Sequence, residues 1–135
     1  MRVLLDNDVV LDFLTARQPF FTEAEKIFLH LDNDKIDCFV SAITPVNVFY
    51  IVRKISGKDI ALQAVKDLLN SVQVCQTNFQ ILQDATLSAI TDYEDAVQHE
   101  SAIAENLDAI VTRNAKDFAN STIQVYSPQE FLAIL

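Results

Sequence analysis

Five short apolar runs rich in β-branched and aliphatic residues constrain this chain more than any other feature. They occupy residues 3–5, 38–40, 72–74, 109–111 and 123–125. The runs at 3–5, 38–40 and 109–111 are unbroken by polar residues, the mark of a strand buried on both faces, and all five are expected to be buried strands. Stretches with helical periodicity fill most of the intervals between them. Strands separated by helices favour a parallel sheet, because right-handed crossovers carry the helices onto its two faces. The expectation is a three-layer α/β/α sandwich with a five-stranded parallel sheet.

The helical stretches carry start signals. Thr22 and Glu25 have capping-box spacing ahead of an apolar stripe at Ile27, Phe28 and Leu31. Thr44-Pro45 and Ser127-Pro128 each place an N-cap before a proline, whose missing N–H costs nothing in a first helical turn, and Glu130 completes a second box. Residues 61–69 form an apolar stripe, Asn78 is expected to cap a helix reaching residue 90, and Thr91 with Glu94 to open one reaching about residue 107.

With 135 residues, half of them hydrophobic and 21% charged, the chain is sized for one domain spanning 1–135 with a core of its own. Its one glycine, Gly57, excludes both a P-loop and a G-x-G-x-x-G phosphate cradle. Cys38 and Cys75 form no metal-binding or redox pair and are expected as reduced core thiols. An acid at position 6 breaks any secretory apolar segment, and no apolar run approaches the ~20 residues of a membrane span, so the expected location is cytoplasmic, away from membranes. The formal charge of −9 argues against a simple electrostatic grip on nucleic acid; a polyanion would need a cation or a local basic patch.

In parallel sheets ligands collect beyond the carboxyl ends of the strands, and three polar clusters fall there. Asp6-Asn7-Asp8, with Asp12 beyond, follows the first run; Thr112-Arg113-Asn114 and Asp117 follow the fourth; Asp92, Glu94 and Asp95 stand at a helix start. On that helix Asp92, Asp95 and His99 share a face by their spacing. Seven acids and no Lys or Arg lie between Leu68 and Thr112, so nothing local neutralises this group. A carboxylate at a buried edge shifts its pKa or finds a cation. If Asp6, Asp95 and Asp117 converge, a hard divalent cation held by one or two carboxylates and several waters relieves their repulsion.

These residues resemble the PIN domain family, the fold of metal-dependent ribonucleases that includes the VapC-type toxins. The resemblance runs through V-L-L-D-N-D-V-V-L-D-F-L, S-A-I-T-P-V-N-V-F-Y-I-V-R-K, D-Y-E-D-A-V-Q-H-E-S-A, I-V-T-R-N-A-K-D-F and the closing S-P-Q-E-F-L, nearly the whole chain. It implies strand order 3-2-1-4-5, Mg²⁺ or Mn²⁺ as cofactor, an endoribonuclease activity on RNA, a small antitoxin protein as partner, and a homodimer. Carried over by position, Asp6 is similar to the family's first metal-binding acid, Asp95 to the acid of the late helix, and Asn114 or Asp117 to the last. Asn47 stands where the family usually has a glutamate; its amide can ligate a cation but brings no charge, and Asp92 and Glu94 lie close enough in sequence to Asp95 to compensate.

The expected catalytic set is therefore Asp6, Asn47, Asp95 and Asp117, with Asn114 and Asp92 as further metal ligands. Thr112, Arg113, Lys116 and His99 are expected to meet substrate. A second reading, motivated by Asn47, is a weak or degenerate domain that binds RNA or protein without cutting. A haloacid-dehalogenase-like phosphatase would also use Asp6-Asn7-Asp8-Val9-Val10, but it wants a glycine-flanked acidic pair that one glycine does not supply. A receiver domain needs an acid after the third run, where the chain reads Cys75-Gln76-Thr77.

Overall fold

The computed structural model describes residues 1–31 and 35–135. Its sheet holds β1 (Arg2–Leu5), β2 (Asp37–Val40), β3 (Gln73–Val74), β4 (Ala109–Val111) and β5 (Gln124–Tyr126), all parallel, in the order β3-β2-β1-β4-β5. The expected strand order and topology are met. Among the described residues the helices are α1 (Asn7–Leu14), α2 (Phe21–Leu31), α3 (Thr44–Ser56), α4 (Lys58–Ser71), α5 (Phe79–Thr86) and α6 (Tyr93–Ala104) between strands, and α7 (Pro128–Ala133) after β5.

The period-2 geometry of a strand sorts neighbouring side chains to opposite faces. Val3, Leu5, Cys38, Val40, Ala109 and Val111 pack with α1–α4 and α7, where Ile27, Phe28, Val48, Val52, Leu68 and Phe131 complete one core. Leu4, Phe39 and Ile110 point the other way, onto Ala85 of α5, Ala96, Val97 and Ala102 of α6, and Phe118. Both faces are thus covered, as the unbroken apolar runs require. Cys38 and Cys75 are free and buried, and burial pushes both thiols up to about 12. Among the described residues no helix is long and apolar enough to cross a membrane.

Several local expectations need correction. β3 is only two residues long and both are exposed, because it closes one edge of the sheet. β5 begins one residue later than its apolar run. α1 was not marked out by any start signal, and Asp6 heads it without a side-chain cap. Thr22 lies inside α2 rather than before it. Thr44 belongs to α3, and its hydroxyl bonds Asn7 instead of capping. Asp92, not Thr91, caps α6, and α5 and α6 stop at Thr86 and Ala104. Asn78 and the Ser127–Glu130 box cap as their sequence spacing predicts. The sole glycine sits between α3 and α4 at φ 89°, a left-handed value that any other residue would adopt at a cost.

Candidate active site

The order β3-β2-β1-β4-β5 reverses direction between β1 and β4, and ligands of open α/β sheets settle beyond the strand ends at that point. Asp6 is the first residue past β1 there. Its N–H donates to the carbonyl of Val111, the last residue of β4, at 3.0 Å, so the acid is pinned to the switch point by sheet pairing itself. Its carboxylate is buried, 5% exposed, and accepts from Thr112 Oγ1 at 2.7 Å and Gln98 Nε2 at 3.0 Å. Burial raises its pKa, opposed by these two bonds; the Asp8 charge adds to the rise.

Gln98 couples this acid to the next. The same Nε2 donates to Asp95 Oδ1 at 3.4 Å, so one amide lies between the carboxylates of Asp6 and Asp95. Desolvation, then the charges of Asp6, Asp92, Asp117 and Glu94, push Asp95 up to about 7. The structure therefore brings Asp6, Asp95, Asp92 and Asp117 into one electrostatic neighbourhood. Asp117 is exposed on the short 3₁₀ turn Ala115–Phe118, and with Thr91, Asp92, Lys116 and Asn120 it lines a cleft of about 430 Å³. Asp92 Oδ1 is engaged with the Asp95 N–H at 3.1 Å.

The remaining expected residues have other partners. Asn114 donates from Nδ2 to Asp8 Oδ2 at 2.5 Å and from its N–H to Thr112 Oγ1 at 3.0 Å, so it bonds Asp8 rather than Asp6. Asn47 donates to Glu94 Oε1 at 2.9 Å. Thr112, expected to meet substrate, is fully buried and orients Asp6. Arg113 forks onto Asp12 through Nε at 2.6 Å and Nη2 at 3.3 Å, and stacks on Phe20 at 3.9 Å. Its charge neutralises an acid that is 1% exposed, which explains why it does not project from the edge. His99 is buried, and its Nε2 accepts from the Thr122 N–H at 3.2 Å, tying α6 to the segment before β5. Lys116 stays exposed on the cleft wall.

Sequence reasoning missed Gln98, Asn7 and the structural use of Asp12. Gln98 carried a usable signal, since it lies three residues after Asp95 and so on the same side of the helix.

Whether these residues fit a divalent cation is a question of donor chemistry. Among the described residues no three His, Cys, Asp or Glu side chains are already gathered about one point, as a closed protein cage would need. Mg²⁺ asks for less, one or two carboxylates with water completing its shell. Asp6 and Asp95 provide that pair. Beside them Gln98 Oε1 is a buried acceptor with no partner, able to take a hydrogen from the water shell of a cation. The donor set fits.

A five-stranded parallel sheet with this order, carrying paired acids where β1 and β4 part, defines a class of α/β domains with an anionic site at the switch point. A family model described as PIN domain matches residues 2–116, and the chain belongs to that family. Among solved structures, the sarcin-ricin loop cleaving toxin VapC20 from Mycobacterium tuberculosis is similar with a TM-score of 0.72 at 13% identity, covering 92% of this chain and 98% of that one. A toxin-antitoxin complex from Klebsiella pneumoniae contains a chain similar at 0.70 and 22% identity, with coverages of 93% and 97%. VapBC2 from Rickettsia felis, bound to a DNA fragment from its promoter, gives 0.70 at 16%, covering 94% and 98%. At these identities the likeness is one of fold. Comparison with curated protein sequences gives no match.

Proposed function

We propose that the protein is a metal-dependent endoribonuclease hydrolysing RNA phosphodiesters, acting as the toxin of a toxin-antitoxin pair. The observation that carries this reading is the Gln98 amide standing between Asp6 and Asp95, two acids 89 positions apart in sequence that β1 and α6 deliver to one edge. Asp6 and Asp95 would hold Mg²⁺ or Mn²⁺, with Asp117 at the rim. Bound there, the cation supplies Lewis-acid stabilisation of phosphate charge and activation of a water.

The chain's own side chains do the preparatory work. Thr112 and Gln98 fix both oxygens of Asp6, which keeps that carboxylate from swinging away from the site. Asp117 and Asp92 line the adjoining cleft, where Lys116 is the cation placed to meet a backbone phosphate. Polar side chains make up most of the cleft's lining, which suits a charged substrate. The partner proposal, a small antitoxin protein, is supported by the toxin-antitoxin complexes among the structures of similar fold. A cationic side chain of such a partner entering the acidic cluster would compete with the metal.

The test is cleavage of a single-stranded RNA by purified protein with Mn²⁺. Wild type is expected to cut and Asp6→Asn to lose nearly all activity; equal rates in the two proteins refute the proposal. The competing reading, a module that binds RNA without cutting, is favoured by the neutral Asn47 and predicts RNA retention with no cleavage in either form.

A further inference from the structure

We infer that Glu94 supplies a further carboxylate to the cation site and that Asn7 and Asn47 are positioning residues that aim it. The inference rests on the metal-site reading above.

An exposed carboxylate on a helix ordinarily samples several rotamers in water, yet Glu94 is gripped from two directions. Its Oε1 accepts from Asn47 Nδ2 of α3 at 2.9 Å and from Asn7 Nδ2 at the start of α1. Asn7 in turn accepts through Oδ1 from the hydroxyl of Thr44, which is fully buried. Thr44, Asn7 and Glu94 thus form a chain of hydrogen bonds, with Asn47 closing on the same oxygen from the side. Each amide has one orientation consistent with its partners, since a carboxylate accepts only from the NH₂ group.

The direction of this grip matters. Asn7 follows Asp6 in the chain, so its bond ties the Glu94 carboxylate to the residue next to that acid, from the first turn of α6 that also carries Asp95. Both amides land on Oε1, which leaves Oε2 as the oxygen able to face an ion or its water. A second, separate feature points to a ligand at the same place: Gln98 is fully buried, its amide lies within the acid cluster, and its Oε1 lacks a partner. Two carboxylates joined by one amide, a third anchored on the same helix that would reach the ion through its water shell, and an orphan acceptor suit a hydrated divalent cation without a closed protein cage.

Asn47 then has a role other than that of a lost ligand. The position that lacks an acid on α3 donates to an acid on α6, so the charge reaches the site from the opposite wall. Helix α3 contributes orientation, and α6 contributes both Glu94 and Asp95.

Isothermal calorimetry of Mn²⁺ with chelator-stripped full-length protein tests this without requiring turnover. Glu94 is exposed, so Glu94→Gln leaves the core intact, and a melting curve checks that it does. Glu94→Gln is expected to weaken Mn²⁺ binding by roughly tenfold or more, because affinity follows ligand charge. Asn47→Ala, which removes one positioning bond and no charge, is expected to cost up to about tenfold. The double variant Glu94→Gln with Asn47→Glu returns the charge from the other wall and is expected to regain affinity over Glu94→Gln alone. Unchanged Mn²⁺ binding in Glu94→Gln overturns the inference, and no recovery in the double variant overturns the claim that the two positions face one ion. Asp6→Asn separates the levels: if it abolishes binding while Glu94→Gln does not, only the role of Glu94 fails. If wild type takes up no Mn²⁺, or Asp6→Asn binds as wild type does, the metal-site reading itself fails.

Discussion

Replacing Asp95 by Asn should make the cation-free protein more stable, and the gain should depend on pH. Burial and four neighbouring acids move Asp95 from its ordinary 3.8 to about 7 in the folded protein. Below the lower value the side chain is protonated in both folded and unfolded chains and contributes nothing. Between the two values the unfolded chain releases a proton that the native state keeps, so stability falls as pH rises, and above the upper value the loss is constant. A shift of this size on a fully buried group would correspond to about 4 kcal/mol; Asp95 is only half-buried, and solvent screening reduces that to about 1–2 kcal/mol. Asn keeps an oxygen to accept from Gln98 and removes the charge. For a chain of this length the gain corresponds to a rise in Tm of about 4–8 °C. The assay is thermal denaturation in EDTA at about pH 8 and about pH 4, with a rise expected only at the higher pH. Saturating Mn²⁺ should stabilise wild type and leave the variant nearly unmoved, narrowing or reversing their order. No gain at the higher pH, or an equal gain at both, refutes the claim that repulsion among converging acids sets the behaviour of this site.

Other perturbations probe the frame around it. Arg113→Ala strands the buried Asp12 with only Arg17 at 3.7 Å, and urea denaturation should show a loss near the lower end of ~3–5 kcal/mol, with Arg113→Lys recovering part of it; an unchanged midpoint would mean that Asp12 is not held by this pair. Ser127→Ala opens the capping box of α7, which seats the fully buried Phe131, and should cost about 1 kcal/mol by the same assay. Lys116→Ala should weaken RNA binding in an uncleaved complex and lower the salt dependence by roughly one counterion, read from affinities across a salt series; identical salt slopes would remove Lys116 from the substrate path.

The sheet was legible because full burial leaves a plain mark. Val3-Leu4-Leu5 and Ala109-Ile110-Val111 send alternate side chains into two separate cores, so neither face tolerates a polar residue and the run shows no alternation. Gln73-Val74 marks the limit of that signal. The run that announced β3 includes Val72, which is buried but lies outside the strand, while the two paired residues sit at an edge where exposure is permitted. Helix starts were ambiguous wherever two capping residues adjoin. Thr91 and Asp92 both cap well, and the outcome turns on which side chain reaches an N–H three residues on; Asp92 reaches that of Asp95.

The acids themselves were visible for an energetic reason, since Asp6 directly after a buried apolar run has no bland explanation in a solvated surface. What sequence could not resolve was the roll of α6. At 3.6 residues per turn, Gln98 lies about 60° to one side of Asp95 and His99 about 40° to the other, so both spacings qualify as the same face. Residues 96–99 are all buried, and the apolar pattern therefore does not say which flank meets β1. Packing of Ala96, Val97 and Ala102 against Leu4 and Ile110 decides it, turning Gln98 onto Asp6 and His99 onto Thr122. The residue with the more familiar chemistry was thus assigned to substrate, while the amide beside it joins the two acids. The same roll brings Glu94 against Asn47 and Asn7, so the charge absent from α3 and the bridge between the acids are consequences of one rotation of one helix. A variant that altered that rotation would be expected to disturb Asp6, Asp95 and Glu94 together, whereas loss of any single side chain would leave the other contacts in place.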